Sequence, residues 1–357
     1  NPLYMMQCVE EADRDDPLIP LKKEYKAFCY YHLPNGNVVG LWKHALTSIS
    51  KDGGWTWEEP VDRAKGFVNS NAKIWGQRLT DGMYATVYNP SEYRWPLGIS
   101  LSTDGLEYTT LNLVQGEVPP MRYGGNYKSY GPQYTRGIQE GNGIPPDSNL
   151  WVTYSMNKED IWVSRILVPV RLNQPAHADD HLDVKKQLSD LTEWNIHSPL
   201  WAPVSLQEKF GNKWLTLKDK DPFDYAKIER KIPKTKELSV SFKCMAEQSS
   251  HGTLQIEFMD ENGIACSRLE FTPDGSFRVK KGARYSNLMS YNANKIYEIK
   301  ADLSVADRNI TVYVNDKKIG QSMFFAPVHS IERIVFRTGT VREFPTPETP
   351  ADQDYDL

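Results

Sequence analysis

Cysteine is scarce. The four in 357 residues, Cys8, Cys29, Cys244 and Cys266, fall as two distant pairs with no CxxC spacing, which disfavours a structural zinc site or a dithiol redox centre. Buried thiols are the plain assignment, because unpaired cysteine is among the most buried residue types. Cys8–Cys29 and Cys244–Cys266 disulfides are the alternative and would suit an exported protein. Positive charge is not in excess either. Forty-two Lys and Arg stand against 46 Asp and Glu, for a net charge of −4 and no basic stripe, so nucleic acid is not an expected partner. No run of 18 apolar residues occurs, which leaves no helical membrane span. The opening Asn1-Pro2-Leu3 carries neither an initiator Met nor a signal peptide, and we read it as a cut start.

What is present points to strands. A hydrophobic fraction of 39%, a charged fraction of 25% and a mean hydropathy of −0.57 are those of a globular chain with a sizeable core. Nineteen Tyr, 10 Trp and 12 Phe beside 23 Gly and 23 Pro favour short strands joined by tight turns, hence an all-β protein. The length exceeds one ordinary domain of roughly 100–200 residues, so two units are expected.

The first of these is repetitive. Phe28–Tyr31, a Pro34-Asn35-Gly36-Asn37 turn, Val38–Trp42, Ala45–Ile49 and then Ser50-Lys51-Asp52-Gly53-Gly54-Trp55-Thr56-Trp57 set an order of strand, turn, strand, strand and aromatic loop. The order returns as Ile74–Arg78, Asp81-Gly82, Tyr84–Tyr88, Pro96–Leu101 and Ser102-Thr103-Asp104-Gly105-Leu106-Glu107-Tyr108. The turns at residues 35 and 81 lie 46 residues apart, within the roughly 40–50 of a four-stranded propeller blade. A third, less regular copy runs from Tyr134 through Asp147-Ser148-Asn149 to Leu150–Ser155 and Ile161–Ile166.

Ser50-x-Asp52-x-Gly54-x-Thr56-Trp57 reads as the Asp-box pattern SxDxGxTW, and 102–108 as a shortened copy. In these boxes the chain resembles the sialidase-like BNR-repeat β-propellers. The motif is a turn device: Asp accepts from the turn's amides, Gly supplies positive φ and the aromatic packs beneath. The resemblance gives Asp52 and Asp104 a structural role. The stretches NSNAKIWGQR with YNPSEYRWPLGIS, RYGGNYKSYGPQYTRGI and NKEDIWVSRI resemble bacterial BNR-repeat enzymes of polysaccharide degradation, among them uronate-targeting lyases and related glycosidases. The resemblance covers about residues 1–170. It implies an acidic oligo- or polysaccharide as partner, a secreted or periplasmic location, and no cofactor beyond a possible structural divalent metal.

Residues 171–198 are expected to be a linker with a helix near Asp180–Leu191; His177 and His181 within it have a possible metal spacing that solvent exposure explains more simply. From 199 to 342, alternating runs such as Leu238–Cys244, Thr253–Phe258, Tyr297–Leu303 and Asn309–Val314 predict an antiparallel β-sandwich, with a pattern resembling concanavalin- or laminin-G-like jelly rolls. The tail 343–357 is acidic and proline-rich. The fold expected is therefore three to four propeller blades plus a sandwich. Since closed propellers hold 4–8 blades, we expect this chain to be the carboxy-terminal part of a larger protein, with further blades of the same protein as its partner.

Propeller sites lie at one face, so the polar, aromatic segments ahead of each blade are the ones to read. For a uronate lyase, Arg or Lys would neutralise the substrate carboxylate while Tyr or His moves the proton; Lys128 and Arg136 serve the first task, His44, Tyr127 and Tyr134 the second. Sugar contacts are assigned to Asn71, Lys73, Trp75, Arg78, Tyr88, Arg94, Arg122, Tyr123, Tyr130, Gln133, Asn142 and Glu159, because aromatic faces cover pyranose rings, amides bond hydroxyls and Arg grips carboxylates. Asn157-Lys158-Glu159-Asp160 suits a site edge or a salt-bridged turn equally. Glu140 and Glu159 keep a hydrolase open, a sialidase-like reading would need several of Arg78, Arg94, Arg122, Arg136 and Arg165 to converge, and a non-catalytic glycan-binding protein is the third alternative.

Overall fold

The computed structural model describes residues 25–69, 72–91, 94–119, 121–125, 128–139, 142–145, 147–170, 179–221 and 224–339. The expectations for Cys8, Asn71, Tyr127, Glu140, His177 and the tail 343–357 lie outside the described residues. The chain divides into two units, with the boundary along the sequence after Arg171.

The first unit is a succession of antiparallel sheets. Strands β1 (Cys29–His32), β2 (Val38–Trp42), β3 (Leu46–Ser50) and β4 (Asp62–Arg63) pair in chain order. Strands β5 (Trp75–Arg78), β6 (Tyr84–Tyr88), β7 (Leu97–Ser102) and β8 (Asn112–Gln115) repeat the arrangement, and β9 (Pro132–Gly137), β10 (Leu150–Met156) and β11 (Asp160–Ile166) form a third sheet. This is the blade order of a β-propeller. Strands β2, β6 and β7 are buried along their whole length because both faces are covered, and β10 is buried at alternate residues: Val39, Leu41, Val87, Leu97, Val152 and Met156 belong to one core, each contributing about 1.5–3 kcal/mol.

The Asp boxes behave as turn devices. Asp52 accepts from the Thr56 amide (2.9 Å) and hydroxyl (2.6 Å), and Ser50 Oγ accepts from Gly54 N–H (2.8 Å). Asp104 accepts from the amides of Leu106 and Glu107 at 2.8 and 2.9 Å. Trp57 packs on Phe28 and Trp42. The second box also ties adjacent blades together, since Tyr31 of β1 donates to Gly105 O (2.6 Å) and meets the Tyr108 hydroxyl at 2.5 Å.

The second unit is a sandwich. Its strands are β12 (Trp194–His197), β13 (Val204–Lys209), β14 (Asn212–Leu217), β15 (Lys227–Thr235), β16 (Glu237–Cys244), β17 (Leu254–Met259), β18 (Ala265–Phe271), β19 (Ser276–Lys281), β20 (Arg284–Ser290), β21 (Tyr297–Ser304), β22 (Asn309–Val314), β23 (Lys317–Met323) and β24 (Ile331–Thr338). A seven-stranded sheet in the order β12-β15-β24-β17-β18-β19-β20 faces a four-stranded sheet β16-β21-β22-β23, and β13-β14 is a separate hairpin. Ile256, Phe258, Leu269, Phe277, Ile299 and Val312 fill the space between the sheets.

Three expectations are corrected. The helix near Asp180–Leu191 is replaced by two short 3-10 turns, Leu182–Val184 and Leu188–Asp190. The segment's polar side chains bond the local backbone instead: Asp190 accepts from the amides of Lys186 and Gln187, which competes with helix. Within the expected linker, Trp194–His197 is a sheet strand paired with β15. The Cys244–Cys266 disulfide is not formed. Cys244 and Cys266 are free thiols, and burial pushes both up to about 12, which keeps them protonated and unreactive.

Candidate functional site

In an antiparallel sheet the start of the first strand, the end of the second and the start of the third share one end. That end of the three blades carries the turn 43–45, the segment entering β5, the connector 89–96, the segment entering β9 and the turn 157–158. Buried amides lock these loops from one blade to the next. Asn69 accepts the His44 amide (3.1 Å) and Asn89 donates to Pro96 O and Pro132 O (2.9 and 2.8 Å). Asn157 accepts from Gly131 N–H (2.8 Å) and donates to Pro119 O (2.7 Å). His44, Lys73, Arg94, Arg122, Tyr123, Lys128, Tyr130, Tyr134 and Glu159 are therefore gathered at one rim. The Asp boxes follow the third strands and occupy the opposite end.

Tyr134 is the singular feature of this rim. Between pairs Gln133↔Ser155 and Arg136↔Thr153, β9 spends three residue steps against two on β10. This is a β-bulge, and Tyr134 takes the left-handed position in it with φ 58°. Glycine is the residue that accepts such a φ without strain; a bulky side chain there is held by its surroundings, and such strain clusters at functional sites. The ring is 40% exposed, so the phenol faces outward. Arg94 lies over it at 5.5 Å and Lys158 at 5.7 Å from the ring centre. Lys158 is projected by a hairpin turn in which Asn157 and Lys158 both have positive φ, 56° and 57°, the type I′ requirement. Arg94 Nη1 is buried and has no hydrogen-bond partner among the described residues.

Beside it lies a charge lattice. The Glu159 carboxylate, 3% exposed, accepts Lys128 Nζ at 3.0 Å and the backbone amides of Arg122 and Tyr123, each at 3.0 Å. Arg122 also pairs with Asp160, which with Glu159 raises the guanidinium pKa against the opposing effect of burial. Arg122, Lys128 and Glu159 thus hold the loop entering β9, and Asn157–Asp160 is at once a salt-bridged turn and a site edge.

The remaining candidates sit elsewhere. Tyr88 is buried in the core, bonded to Ser100 Oγ at 2.8 Å, with its pKa raised by desolvation. Trp75 is buried under Arg136, whose guanidinium is 5.8 Å from the ring centre. Gln133 is buried and exchanges two bonds with Ser129. Arg78 ends β5, Arg136 lies toward the end of β9, and Asn142 follows β9 and bonds the His32 backbone; all three belong to the end away from Tyr134. Of the five arginines, Arg94 and Arg122 share the rim, while Arg165 bonds Asp147 at the far end. His44 is exposed on a turn with φ 67° rather than within a strand. Lys158 was legible only as part of a charged turn; the Asn-Lys pair is a hairpin signal that could have placed it, whereas the bulge leaves none.

Comparison with known proteins agrees with this architecture. The description "BNR repeat-like domain" matches residues 33–144, and "Sialidase-like, CBM domain" matches residues 194–353. A solved structure titled "Sialidase" is 70% identical over 100% of this chain with a TM-score of 0.93. The chain spans 33% of that protein's length. Two fainter likenesses are too distant to bear on the fold. Trypanosoma rangeli sialidase is 12% identical over 89% of this chain and 57% of its own, with a TM-score of 0.28. Carbohydrate-binding module CBM66 from Bacillus subtilis is 12% identical over 41% of this chain and 86% of its own, also at 0.28. No curated protein matches the chain. These matches make residues 33–144 similar to BNR repeat-like domains and residues 194–353 similar to sialidase-like carbohydrate-binding module domains. The likeness to uronate lyases draws no support from them.

Proposed function

We propose that this chain supplies one side of the active site of a sialidase-like exo-glycoside hydrolase acting on a terminal acid sugar, in an exported glycan-degrading protein. The observation that carries the reading is the bulged, outward Tyr134 set between Arg94 and Lys158. Arg94 is the carboxylate clamp: its guanidinium lies over the exposed Tyr134 ring, where a guanidinium–carboxylate pair would orient the sugar. Tyr134 is the nucleophile. Where the anomeric carbon itself bears a carboxylate, an anionic carboxylate nucleophile is repelled, and a phenol attacks that carbon without this penalty; tyrosine is the nucleophile of sialidases among glycosidases. As the phenol oxygen bonds the anomeric carbon, the bond from that carbon to the aglycone oxygen breaks; the phenol proton passes to solvent and the aglycone leaves as its alcohol or phenol, protonated by water. Water then hydrolyses the glycosyl–tyrosine bond, which releases the sugar with retention and restores the phenol. Lys158 adds positive charge beside the bound acid.

The test is hydrolysis of an aryl ketoside of N-acetylneuraminate and of uronate oligosaccharides by the longest natural polypeptide carrying this chain. Tyr134→Phe is expected to lower kcat by at least about 10³-fold, and Arg94→Gln to act mainly through KM. Full activity in Tyr134→Phe refutes the assignment. Ultraviolet-absorbing unsaturated products in place of hydrolysis would establish β-elimination, for which the same Arg94 and Tyr134 would act as neutraliser and base.

A further inference from the structure

Tyr134 stands at φ 58° inside a bulge, and a bulge gives up part of the strand ladder that would otherwise fix its backbone. A strained residue keeps its conformation only where its surroundings over-determine it. Here the surroundings are three carboxamide side chains. Asn89, Gln133 and Asn157 are 1%, 0% and 1% exposed, and each bonds the segment 129–133 that leads into Tyr134.

Gln133 closes the segment on itself: its Nε2 donates to Ser129 O at 2.7 Å and its Oε1 accepts from Ser129 Oγ at 3.0 Å. Asn157 takes both backbone groups of Gly131. Its Oδ1 accepts the Gly131 N–H at 2.8 Å, its own amide N–H donates to Gly131 O at 3.1 Å, and its Nδ2 donates to Pro119 O at 2.7 Å. Asn89 joins two segments with one amide group, donating to Pro96 O beside the connector of Arg94 at 2.9 Å and to Pro132 O, two residues before Tyr134, at 2.8 Å. At Gly131 (φ 102°) the two backbones touch, since a Cβ there would lie 2.1 Å from Arg94 O. The connector of Arg94, the bulge of Tyr134 and the turn of Lys158 are thus fixed to one another by main chain and buried amides. Four of the six side-chain bonds are donated by amide N–H groups, and carboxylates in these places would make none of the four.

We infer that Asn89, Gln133 and Asn157 are positioning residues: acting through the backbone of 129–133, they set Tyr134 between Arg94 and Lys158. The inference rests on the reading of Tyr134 as the nucleophile. It gives Gln133, expected from the sequence to contact sugar, a different task. Gln133 and Asn157 bear on the placement of the phenol, hence on the rate of the chemical step. Asn89 also fixes the connector of Arg94, and so bears on substrate binding as well.

Two measurements test it: hydrolysis kinetics of the longest natural polypeptide carrying this chain, and fluorine resonances of the whole chain labelled with 3-fluorotyrosine. Gln133→Met, which keeps the volume without the bonds, should lower kcat at least about tenfold with KM within about twofold. Asn89→Ala should lower kcat and raise KM, each at least about fivefold. In both, the resonance of Tyr134, identified by its loss in Tyr134→Phe, should shift or split. Asn157→Gly, which keeps the left-handed turn and removes the amide, repeats the test should Gln133→Met not fold. Asn149→Ala is the control. It deletes a buried amide at the far end, one that accepts from Val168 N–H at 2.9 Å, and should lower the thermal transition with kcat and the Tyr134 resonance unchanged. Unchanged kcat in Gln133→Met and Asn89→Ala beside an inactive Tyr134→Phe overturns the inference and leaves the nucleophile standing, whereas full activity in Tyr134→Phe removes the nucleophile itself. An unmoved Tyr134 resonance in both variants overturns the positioning role whether or not hydrolysis is found, and where no substrate is hydrolysed the resonance alone decides.

Discussion

Replacing Tyr134 by glycine and, separately, by alanine isolates the backbone strain at the candidate site. At φ 58° a residue with a Cβ carries a penalty of roughly 1–2 kcal/mol that glycine escapes. In an ordinary strand the order is the reverse, glycine being about 0.5–1 kcal/mol worse than alanine through its larger unfolded-state entropy. The difference predicts a glycine variant more stable than the alanine variant by about 1 kcal/mol. Both variants lose the same contacts with Arg94 and Lys158, so those contacts, roughly 0.5–1 kcal/mol each, cancel in the comparison. Urea unfolding followed by tryptophan fluorescence reads the effect as a shift in midpoint at constant slope, in the transition of the first unit. Neither variant should hydrolyse substrate. An alanine variant as stable as the glycine variant, or more so, would refute the claim that the bulge stores strain at the site.

Further outcomes follow from the same geometry. Thr56 bonds hold Asp52 at about 2, below its ordinary 3.8. A depressed carboxylate contributes stability above the unfolded pKa and loses it as pH falls through the folded one, so the first unit should weaken between about pH 4 and pH 2, and Asp52→Asn should flatten that part of an acid titration followed by fluorescence. Glu159→Ala removes the acceptor for two backbone amides and Lys128. It should cost about 2 kcal/mol and speed proteolysis within 121–131; unchanged cleavage and an unchanged urea midpoint would show that Glu159 does not anchor the loop.

Much of the architecture is legible in the chain because it is local. Turn pairs such as Asn35-Gly36 and Asp81-Gly82, strands alternating or continuous in apolar residues, and the two Asp boxes specify hairpins within a few residues of themselves, and the repeat of about 46 residues orders them into blades. The register of the sandwich's outer face follows from the same period of two. The 3-10 turns near Leu182–Asp190 were not legible, since the polar pattern does not tell whether Asp190 bonds solvent or the amides of Lys186 and Gln187. Nor was the sorting of polar aromatics: Tyr88 and Tyr134 stand in similar company in the chain, yet one is sealed in the core and the other turned outward.

The sequence by itself determined an all-β chain of sialidase-like blades followed by a sandwich, and a polar, aromatic composition at the segments entering the blades. Only the tertiary structure decided which of those residues meet. Arg94, Tyr134 and Lys158 come from a connector, a bulge and a hairpin turn up to 64 residues apart (94 to 158), and Tyr134 reaches its cations because one extra residue in β9 turns it against the alternation of the strand. Strand periodicity carries no trace of such a bulge, since the partner strand that makes it a bulge is set by long-range pairing.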